Sequence, residues 1–321
     1  MGPERAQSLS ELAAGAMKGD RRSLSRLISK VENDRKVAKE VVEMVFRETG
    51  RAFVLGITGP PGSGKSTLIA ALSRELSAAG KKVAVVAIDP SSMFSGGALL
   101  GDRIRMKDLT EDPNVFIRSM ATRGFVGGLC RAAADVVRIL DAGSWNYVMV
   151  ETAGAGQTDL DIVELARTVI VVLSPGWGDE IQAFKAGLME IGDIFVVNKA
   201  DQPGANRTLL DIRGMMQTYG AERKWQPPVL LVDSLKPNGI PELVMAINEH
   251  QEHVARSGLS KGGLTDGEAQ LLAAVRQELE LEFIPNLRRS PEFPEYVKRI
   301  SERTIDPYTA ASALIGAAKR R

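Results

Sequence analysis

The chain has 321 residues, 44% of them hydrophobic, which suffices for an α/β domain with a buried core and additional helices. Its 41 Lys and Arg balance 40 Asp and Glu, which excludes a general attraction to nucleic acid or an anionic membrane. A lone cysteine, Cys130, excludes an internal disulfide framework and a thiolate metal cluster. No apolar run approaches membrane-spanning length, and acidic residues interrupt the N-terminus, so we expect a cytoplasmic protein without a membrane segment.

Residues 8–49 have the apolar spacing of helices, and we assign residues 1–50 to an N-terminal helical extension. Ser8 and Glu11 have the spacing of a capping box at the start of the first helix. Leu24, Leu27 and Ile28 recur at helical spacing in the second. We expect the apolar faces of these helices to pack on the domain that follows.

Between residue 52 and about residue 235, short β-branched apolar runs alternate with helical patterns. The predicted strands are Phe53–Ile57, Val83–Ile88, Val115–Ile117, Tyr147–Val150, Val169–Leu173, Ile194–Val197 and Val229–Val232. Continuous apolar strands are typical of a parallel sheet that helices cover on both faces. Residues 51–257 are therefore predicted to form a three-layer α/β domain with a mostly parallel sheet, whose ligands bind at the carboxyl ends of the strands.

The stretch Gly59-Pro60-Pro61-Gly62-Ser63-Gly64-Lys65-Ser66-Thr67 joins the first predicted strand to a helical pattern. Its glycines let backbone N–H groups converge on an anion, and the helix adds the positive end of its dipole. The order of strand, loop and helix indicates a P-loop in which these nine residues bind a nucleotide. Lys65 is predicted to reach the β- and γ-phosphates as a catalytic group, and the Ser66 hydroxyl to bind Mg²⁺. The alternative is a glycine-rich turn with a surface lysine.

Three acidic residues are candidates to complete the magnesium site with oxygen ligands. Asp89 ends the second predicted strand, Asp102 lies in the glycine-rich segment that follows, and Glu151 ends the fourth strand. Not all three need to bind the metal directly, and Glu151 is also a candidate catalytic residue. Small GTPases place a water-orienting glutamine directly after the glycine that corresponds to Gly154, but Ala155 stands there. We therefore expect slow hydrolysis by the protein alone.

The sequence Asn198-Lys199-Ala200-Asp201 directly follows a predicted strand, at the edge where a base could lie. A guanine edge offers two adjacent donors that one carboxylate can accept together, whereas adenine has an acceptor there. Asp201 is therefore predicted to select GTP over ATP, while the stem of Lys199 covers the base and Asn198 ties this loop to the P-loop. Ser234-Leu235-Lys236, after the last strand, is predicted to contact guanine through backbone N–H groups.

Residues 258–321 form the predicted C-terminal helical extension, which begins with a glycine-rich break and contains helical patterns over Glu268–Phe283 and Thr309–Ala318. Their apolar stripes could pack against a second subunit or within one chain. We expect a homodimer.

With these motifs in place, the sequence resembles the MeaB/ArgK family of P-loop GTPases, which also includes the methylmalonic aciduria type A protein. The resemblance covers nearly the whole chain. It rests on the P-loop, the guanine motif and the segments Asp89–Ser92, Gly96–Arg103, Arg118–Gly124, Glu151–Gln157, Pro175–Gly187 and Ile305–Ala311.

The resemblance implies a homodimeric GTPase chaperone that gates delivery of adenosylcobalamin to an acyl-CoA mutase and protects or reactivates that enzyme. It also implies that Ser66, Asp89, Asp102 and Glu151 surround Mg²⁺. Residues 176–187 would be a switch that responds to the mutase, with Lys185 assisting hydrolysis in the complex. The alternative for Lys185 is a solvated helix charge.

Three other functions are weighed against this interpretation. A nickel-delivering maturation GTPase needs imidazole or thiolate ligands, but only His250, His253 and Cys130 are available, and both histidines are expected to be solvated on a polar helix. Asp201 argues against an ATP-using kinase of a transport system. A regulatory module that binds GTP without hydrolysing it is the third alternative.

Overall fold

A computed structural model describes residues 7–89, 107–121, 132–154, 157–176, 187–219, 224–257 and 267–318. The chain divides into two compact units, the first extending to Thr265 and the second beginning at Asp266. Within the described ranges, no helix combines the length and the apolar character needed to cross a bilayer.

A seven-stranded sheet, in which every pair of neighbouring strands is parallel, forms the centre of the first unit. Its strands are β1 (Phe53–Thr58), β2 (Val83–Asp89), β3 (Val115–Ala121), β4 (Tyr147–Glu151), β5 (Thr168–Leu173), β6 (Ile194–Val197) and β7 (Val229–Leu231). The strand order is β3-β2-β4-β1-β5-β6-β7, which puts β1 at the centre between β4 and β5. The predicted parallel α/β sheet is confirmed, and the loops after β1, β4, β5 and β6 leave the same edge.

The helices of the first unit cover both faces of this sheet. They are α1 (Leu9–Met17), α2 (Arg21–Asn33), α3 (Arg35–Val45), α4 (Lys65–Ala78), α5 (Ala133–Asp141), α6 (Ala205–Tyr219) and α7 (Ile240–Ser257). Short 3-10 helices lie at Phe46–Glu48, Lys107–Thr110 and Gln157–Glu164. Helix α1 begins with the expected capping box, since Glu11 N–H donates to Ser8 Oγ and Ser8 N–H donates to the Glu11 carboxylate.

Two apolar clusters hold the three layers together, because the strands bury alternate residues on opposite faces. One cluster lies between the sheet and helices α4 and α7, and it includes Leu55, Ile57 and Leu68. The other joins the opposite face of the sheet to α5 and α6 and continues into α1–α3. The apolar faces of the N-terminal helices therefore pack on the α/β core as expected.

Polar contacts also attach the N-terminal region to the core. The buried Asp141 carboxylate, at the end of α5, accepts the backbone N–H groups of Gly50, Arg51 and Ala52 at 2.6, 2.8 and 2.7 Å. At the edge of the sheet, Arg118 on β3 forms an ion pair with Glu32 on α2. The segment that enters β1 is thus held by a carboxylate about ninety residues away in sequence.

The second unit is helical and contains α8 (Gly267–Glu278), α9 (Ile284–Arg288), α10 (Phe293–Ser301) and α11 (Pro307–Ala318). A π-helical turn, Leu279–Phe283, joins α8 to α9. Helices α8, α9 and α10 bury none of their residues, and α11 buries only Ala310 and Leu314.

Candidate nucleotide-binding site

The glycine-rich loop leaves the central strand β1 and runs directly into α4. Gly59, Gly62 and Gly64 have φ angles of 137°, 78° and 93°, in the region that favours glycine. A Cβ atom on Gly59 would lie 2.1 Å from the Val172 carbonyl oxygen of β5, and one on Gly64 would lie 2.3 Å from Asn198 Nδ2. These glycines therefore let the loop pass close to two neighbouring elements. The loop ends at the N-terminal turn of α4, where backbone N–H groups and the helix dipole favour an anion.

Lys65 and Ser66, the first residues of α4, are buried beside the loop. Lys65 Nζ donates to the carbonyl oxygens of Gly59 and Pro60, at 2.8 and 3.3 Å. These bonds place a fixed cation at the centre of the loop. Gly154 follows β4, which ends at Glu151, and a Cβ on this glycine would come within 2.6 Å of Lys65 Nζ. The backbone of Gly154 therefore lies close to the Lys65 amine.

The Ser66 hydroxyl donates to Glu151 Oε1 at 2.7 Å, and both residues are buried. Glu151 ends β4, and its register partner on β1 is Ile57. A serine hydroxyl and a carboxylate oxygen are hard ligands of the type that Mg²⁺ prefers, so this pair fits one side of a magnesium site. Two of the four predicted metal ligands therefore lie together.

The other candidates near the phosphates are described only in part. The backbone of Asp89 ends β2, in the register that pairs Ala87 with Glu151, so the chain reaches the same edge of the sheet there. The Asp89 side chain, Asp102 and Lys185 lie outside the described residues. The predicted roles of these three residues stay predictions.

Asn198, the residue after β6, joins the P-loop to the loop after β7. Its Nδ2 donates to the carbonyl oxygens of Ser63 and Gly64, at 3.0 and 3.4 Å. Its Oδ1 accepts from the Ser234 hydroxyl at 2.7 Å and from Ser234 N–H at 3.3 Å. Because carbonyl oxygens can only accept, the amide nitrogen faces the P-loop and the amide oxygen faces Ser234. The expected tie between the loop that begins at Asn198 and the P-loop is present, and the bonds from Ser234 add the loop after β7 to it.

The residues that follow Asn198 are less buried: Lys199 and Ala200 are half-buried, and Asp201 is exposed. Lys199 adopts a φ angle of 56°, and its Nζ donates to the Gly62 carbonyl oxygen at 2.7 Å, so its stem lies across the space beside the P-loop. The Ala200 N–H donates to the Val232 carbonyl oxygen at 3.1 Å. The geometry holds the segment 198–200 firmly and leaves the Asp201 carboxylate accessible to a ligand.

The loop after β7 contains a residue that the sequence analysis missed. Asp233 is buried, and its Oδ1 accepts the N–H groups of Leu235 and Lys236 at 3.1 and 3.3 Å. Its own N–H donates to the Asn238 carbonyl oxygen at 3.0 Å. An aspartate that caps backbone groups two and three residues ahead is a common turn signal, so the sequence contained a clue to this role.

His250 is buried, and the expectation that both histidines are solvated was wrong for this residue. Its Nδ1 lies 2.7 Å from Thr168 Oγ1, its Nε2 lies 3.6 Å from Asp193 Oδ1, and its ring packs on Trp225 with centroids 4.9 Å apart. The reason is that the face of α7 bearing His250 packs against the N-terminal ends of β5 and β6, where Thr168 and Asp193 lie. Among the described side chains, no group of three His, Cys, Asp or Glu residues could hold a metal ion.

The chain is similar to several known proteins. It is 45% identical over 311 residues to a Pyrococcus abyssi protein assigned as a GTPase, with 96% of both chains covered. It is 32% identical to the GTPase ArgK of Escherichia coli, again with 96% of both chains covered. It is 28% identical to the mouse mitochondrial methylmalonic aciduria type A homolog, over 97% of this chain and 79% of that protein.

A crystal structure of an LAO/AO transport system kinase has the same fold, with a TM-score of 0.73 and 24% identity over 99% of this chain and all of the other. Residues 24–285 match the family described as methylmalonyl-CoA mutase-associated GTPase MeaB. This match covers most of the chain, including the whole nucleotide edge of the sheet. The protein is therefore a P-loop GTPase, and it belongs to the MeaB family.

Proposed function

We propose that this GTPase gates the delivery of adenosylcobalamin to a cobalamin-dependent acyl-CoA mutase, such as methylmalonyl-CoA mutase, and protects or reactivates that enzyme. The observation that carries this proposal is the family match, whose description names an association with methylmalonyl-CoA mutase. The similarity to the mouse methylmalonic aciduria type A homolog supports it. The lone cysteine is compatible with the cytoplasmic location that the proposal includes.

In this proposal, the P-loop residues 59–67 bind the phosphates of GTP or GDP. Lys65 already lies at the centre of the loop, and the hydroxyl–carboxylate pair of Ser66 and Glu151 provides ligands for Mg²⁺, with Asp89 and Asp102 as further candidates. A bound magnesium ion would neutralise phosphate charge. The protein's own contribution is to hold these groups in a buried setting, where charge interactions are stronger than in water.

The guanine base would lie against the loops that Asn198 joins, where the exposed Asp201 carboxylate accepts its two donors. This base selection has a direct test. Xanthine carries a carbonyl where guanine has its amino group, so an amide at position 201 should pair with xanthine instead. We expect Asp201→Asn to lose GTP affinity and gain XTP affinity, as measured by calorimetry. Equal affinity of the unaltered protein for GTP and ATP would contradict guanine selection and favour the transport-kinase alternative.

The mutase interaction is tested with a purified cobalamin-dependent acyl-CoA mutase. We expect the mutase to bind the GDP form and the form loaded with a non-hydrolysable GTP analogue with affinities that differ about 5- to 150-fold, the usual range of coupling between two sites. The same experiment with Asp201→Asn should depend on xanthine nucleotides instead of guanine nucleotides. Identical mutase affinity in every nucleotide state would refute the gating proposal.

Lys185 is proposed to assist hydrolysis in the mutase complex. Lys185→Ala should therefore keep the slow GTPase rate of the isolated protein but lose the stimulation by the mutase. Undiminished stimulation would contradict this role and would favour the alternative, in which Lys185 is a solvated charge on a helix.

We also propose that residues 258–321 mediate a homodimer, whereas residues 1–50 and 51–257 form the N-terminal extension and the GTPase domain. The second unit exposes apolar side chains at helical spacing along α8 and into the π-helical turn, namely Leu271, Leu272, Val275 and Leu279. A unit that buries so little of its own apolar surface is a candidate interface. The mass in solution tests the dimer: Leu272→Asp combined with Val275→Asp should yield a monomer that still binds GTP, and a monomeric unaltered protein would refute it.

A further inference from the structure

Two buried hydroxyl groups lie side by side where β1 and β4 leave the sheet. Ile57 of β1 pairs with Glu151 of β4, so Thr58 and Thr152 are the next residues along the two strands. The Thr152 hydroxyl donates to Thr58 Oγ1 at 3.1 Å, and Thr152 N–H donates to the Ile57 carbonyl oxygen at 3.0 Å. Because Thr58 is 0% exposed and Thr152 is 1% exposed, solvent does not compete for this hydroxyl contact.

Each threonine directly precedes a segment of the nucleotide site. Thr58 is followed by Gly59, whose carbonyl oxygen accepts a hydrogen bond from Lys65 Nζ at 2.8 Å. Thr152 lies two residues before Gly154. A Cβ on that glycine would be 2.9 Å from the Gly59 carbonyl oxygen and 2.6 Å from Lys65 Nζ. The chain segments that the two threonines begin therefore approach each other closely at the lysine that is expected to reach the β- and γ-phosphates.

A pair of hydroxyl groups allows a closer approach of the two strand ends than apolar side chains of the same size. The two hydroxyl oxygens lie 3.1 Å apart, whereas carbon atoms in contact prefer a separation of about 3.5–4.0 Å. A methyl group in place of either hydroxyl would therefore push the ends of β1 and β4 apart by roughly half an ångström. Displacements of this size matter at a reaction centre, where a misplacement of about 1 Å can lower the rate about 100-fold.

We propose that Thr58 and Thr152 are positioning residues for GTP hydrolysis, because their hydrogen bond holds the segment containing Gly154 against the P-loop. This inference rests on the proposed roles of the P-loop residues. Neither hydroxyl touches the nucleotide, so both threonines act through the backbone that follows them. The γ-phosphate is the part of GTP that GDP lacks. Loss of the bond should therefore slow the turnover of GTP much more than it weakens the binding of GDP.

The test combines single-turnover GTP hydrolysis with calorimetric measurement of GDP affinity and with the urea midpoint of unfolding. We expect Thr152→Val to lower the hydrolysis rate at saturating GTP about 10- to 100-fold. Its GDP affinity should stay within about threefold of that of the unaltered protein. Thr152→Ser keeps the hydroxyl and should keep the hydrolysis rate within about threefold. Thr58→Val removes the same bond from the other strand and should slow hydrolysis as much as Thr152→Val does.

The double variant with Thr58→Val and Thr152→Val separates positioning from stability. Replacing both partners by apolar groups of the same shape leaves no buried hydroxyl without a partner, so the urea midpoint should return close to that of the unaltered protein. The rate should stay low, because two methyl groups meet at the longer distance.

The matched control is Thr168→Val. Thr168 is also buried, and its hydroxyl lies 2.7 Å from His250 Nδ1, but it begins β5, at the end of the sheet opposite the P-loop. This control variant should lower the urea midpoint and leave the rate of GTP hydrolysis unchanged.

Three results overturn the inference. In the first, Thr152→Val lowers the urea midpoint but not the hydrolysis rate, which would give the bond only a structural role. In the second, the double variant regains the rate together with its stability. In the third, Thr152→Ser loses as much rate as Thr152→Val. Failure of the proposed P-loop site itself looks different, because Lys65→Ala would then bind GDP and hydrolyse GTP as the unaltered protein does.

Discussion

Replacing Asn198 should separate the two loops that hold the nucleotide. The amide makes two bonds of good length, from Nδ2 to the Ser63 carbonyl oxygen at 3.0 Å and from the Ser234 hydroxyl to Oδ1 at 2.7 Å. Each such bond contributes about 0.5–1.5 kcal/mol, and a buried partner left without its bond costs about 1–3 kcal/mol. We therefore expect Asn198→Ala to lower the free energy of unfolding by about 2–4 kcal/mol.

The assay is urea denaturation of the nucleotide-free protein, followed by calorimetric measurement of GDP affinity. Asn206 lies exposed on α6, so Asn206→Ala is the matched control and should change the free energy of unfolding by less than about 0.5 kcal/mol. A double-mutant cycle with Ser234→Ala isolates one bond, with an expected coupling of about 0.5–1.5 kcal/mol. If Asn198→Ala is as stable as the control and binds GDP equally well, the tie between the loops does not exist in solution.

Three other predictions concern single residues elsewhere in the first unit. Asp141→Ala should lower the free energy of unfolding by about 2–4 kcal/mol in urea, because three backbone N–H groups lose a charged acceptor. Gly154→Ala should reduce GTP affinity at least about tenfold in a titration, because its Cβ would lie 2.6 Å from Lys65 Nζ. Hydrogen bonds from the hydroxyl and the N–H of Ser23 lower the pKa of Asp20 below its usual value of 3.8. Burial instead raises the pKa of Asp135 above 3.8. The contribution of Asp20 to the free energy of unfolding is therefore present above pH 3.8 and is lost as the pH falls. The contribution of Asp135 is present below pH 3.8 and is lost as the pH rises. Unfolding curves of Asp20→Asn and Asp135→Asn at several pH values would measure both.

Each of these predictions has a control or a contradicting result. Asp211→Ala changes an exposed acid of α6 and should leave stability within about 0.5 kcal/mol, unlike the change at Asp141. Gly19→Ala introduces a side chain at a similar positive φ angle with no atom within 4 Å, so it should cost stability but not GTP affinity. The pH argument is wrong if Asp20→Asn leaves the acid side of the stability curve unchanged.

The features that the sequence predicted correctly are the local ones. All seven strands stand where β-branched apolar runs predicted them, because a parallel sheet covered on both faces requires such runs. The P-loop glycines were identified from their spacing, and the same positions have the positive φ angles or close contacts that demand glycine. Asn198 was expected to reach the P-loop because both segments follow strands of one sheet.

The features that were missed depend on which distant segments meet. Asp141 holds residues that lie about ninety positions earlier, and no local pattern indicates that pairing. His250 was expected at the surface because its helix is rich in polar residues, but the direction a helix faces is decided by its neighbours in space. Asp233 carried a recognisable turn signal, yet its burial follows only from the packing around β7.

The N-terminal helices share one continuous apolar cluster with the sheet, which bears on how this protein can be divided. A shortened chain that starts at Arg51 would expose the surface of α5 to water and would lose Gly50, one of the three residues whose backbone N–H groups Asp141 accepts. Attempts to crystallise a minimal GTPase fragment should therefore keep everything from Ser8 onward, since residues 8–50 form a structural layer against the sheet.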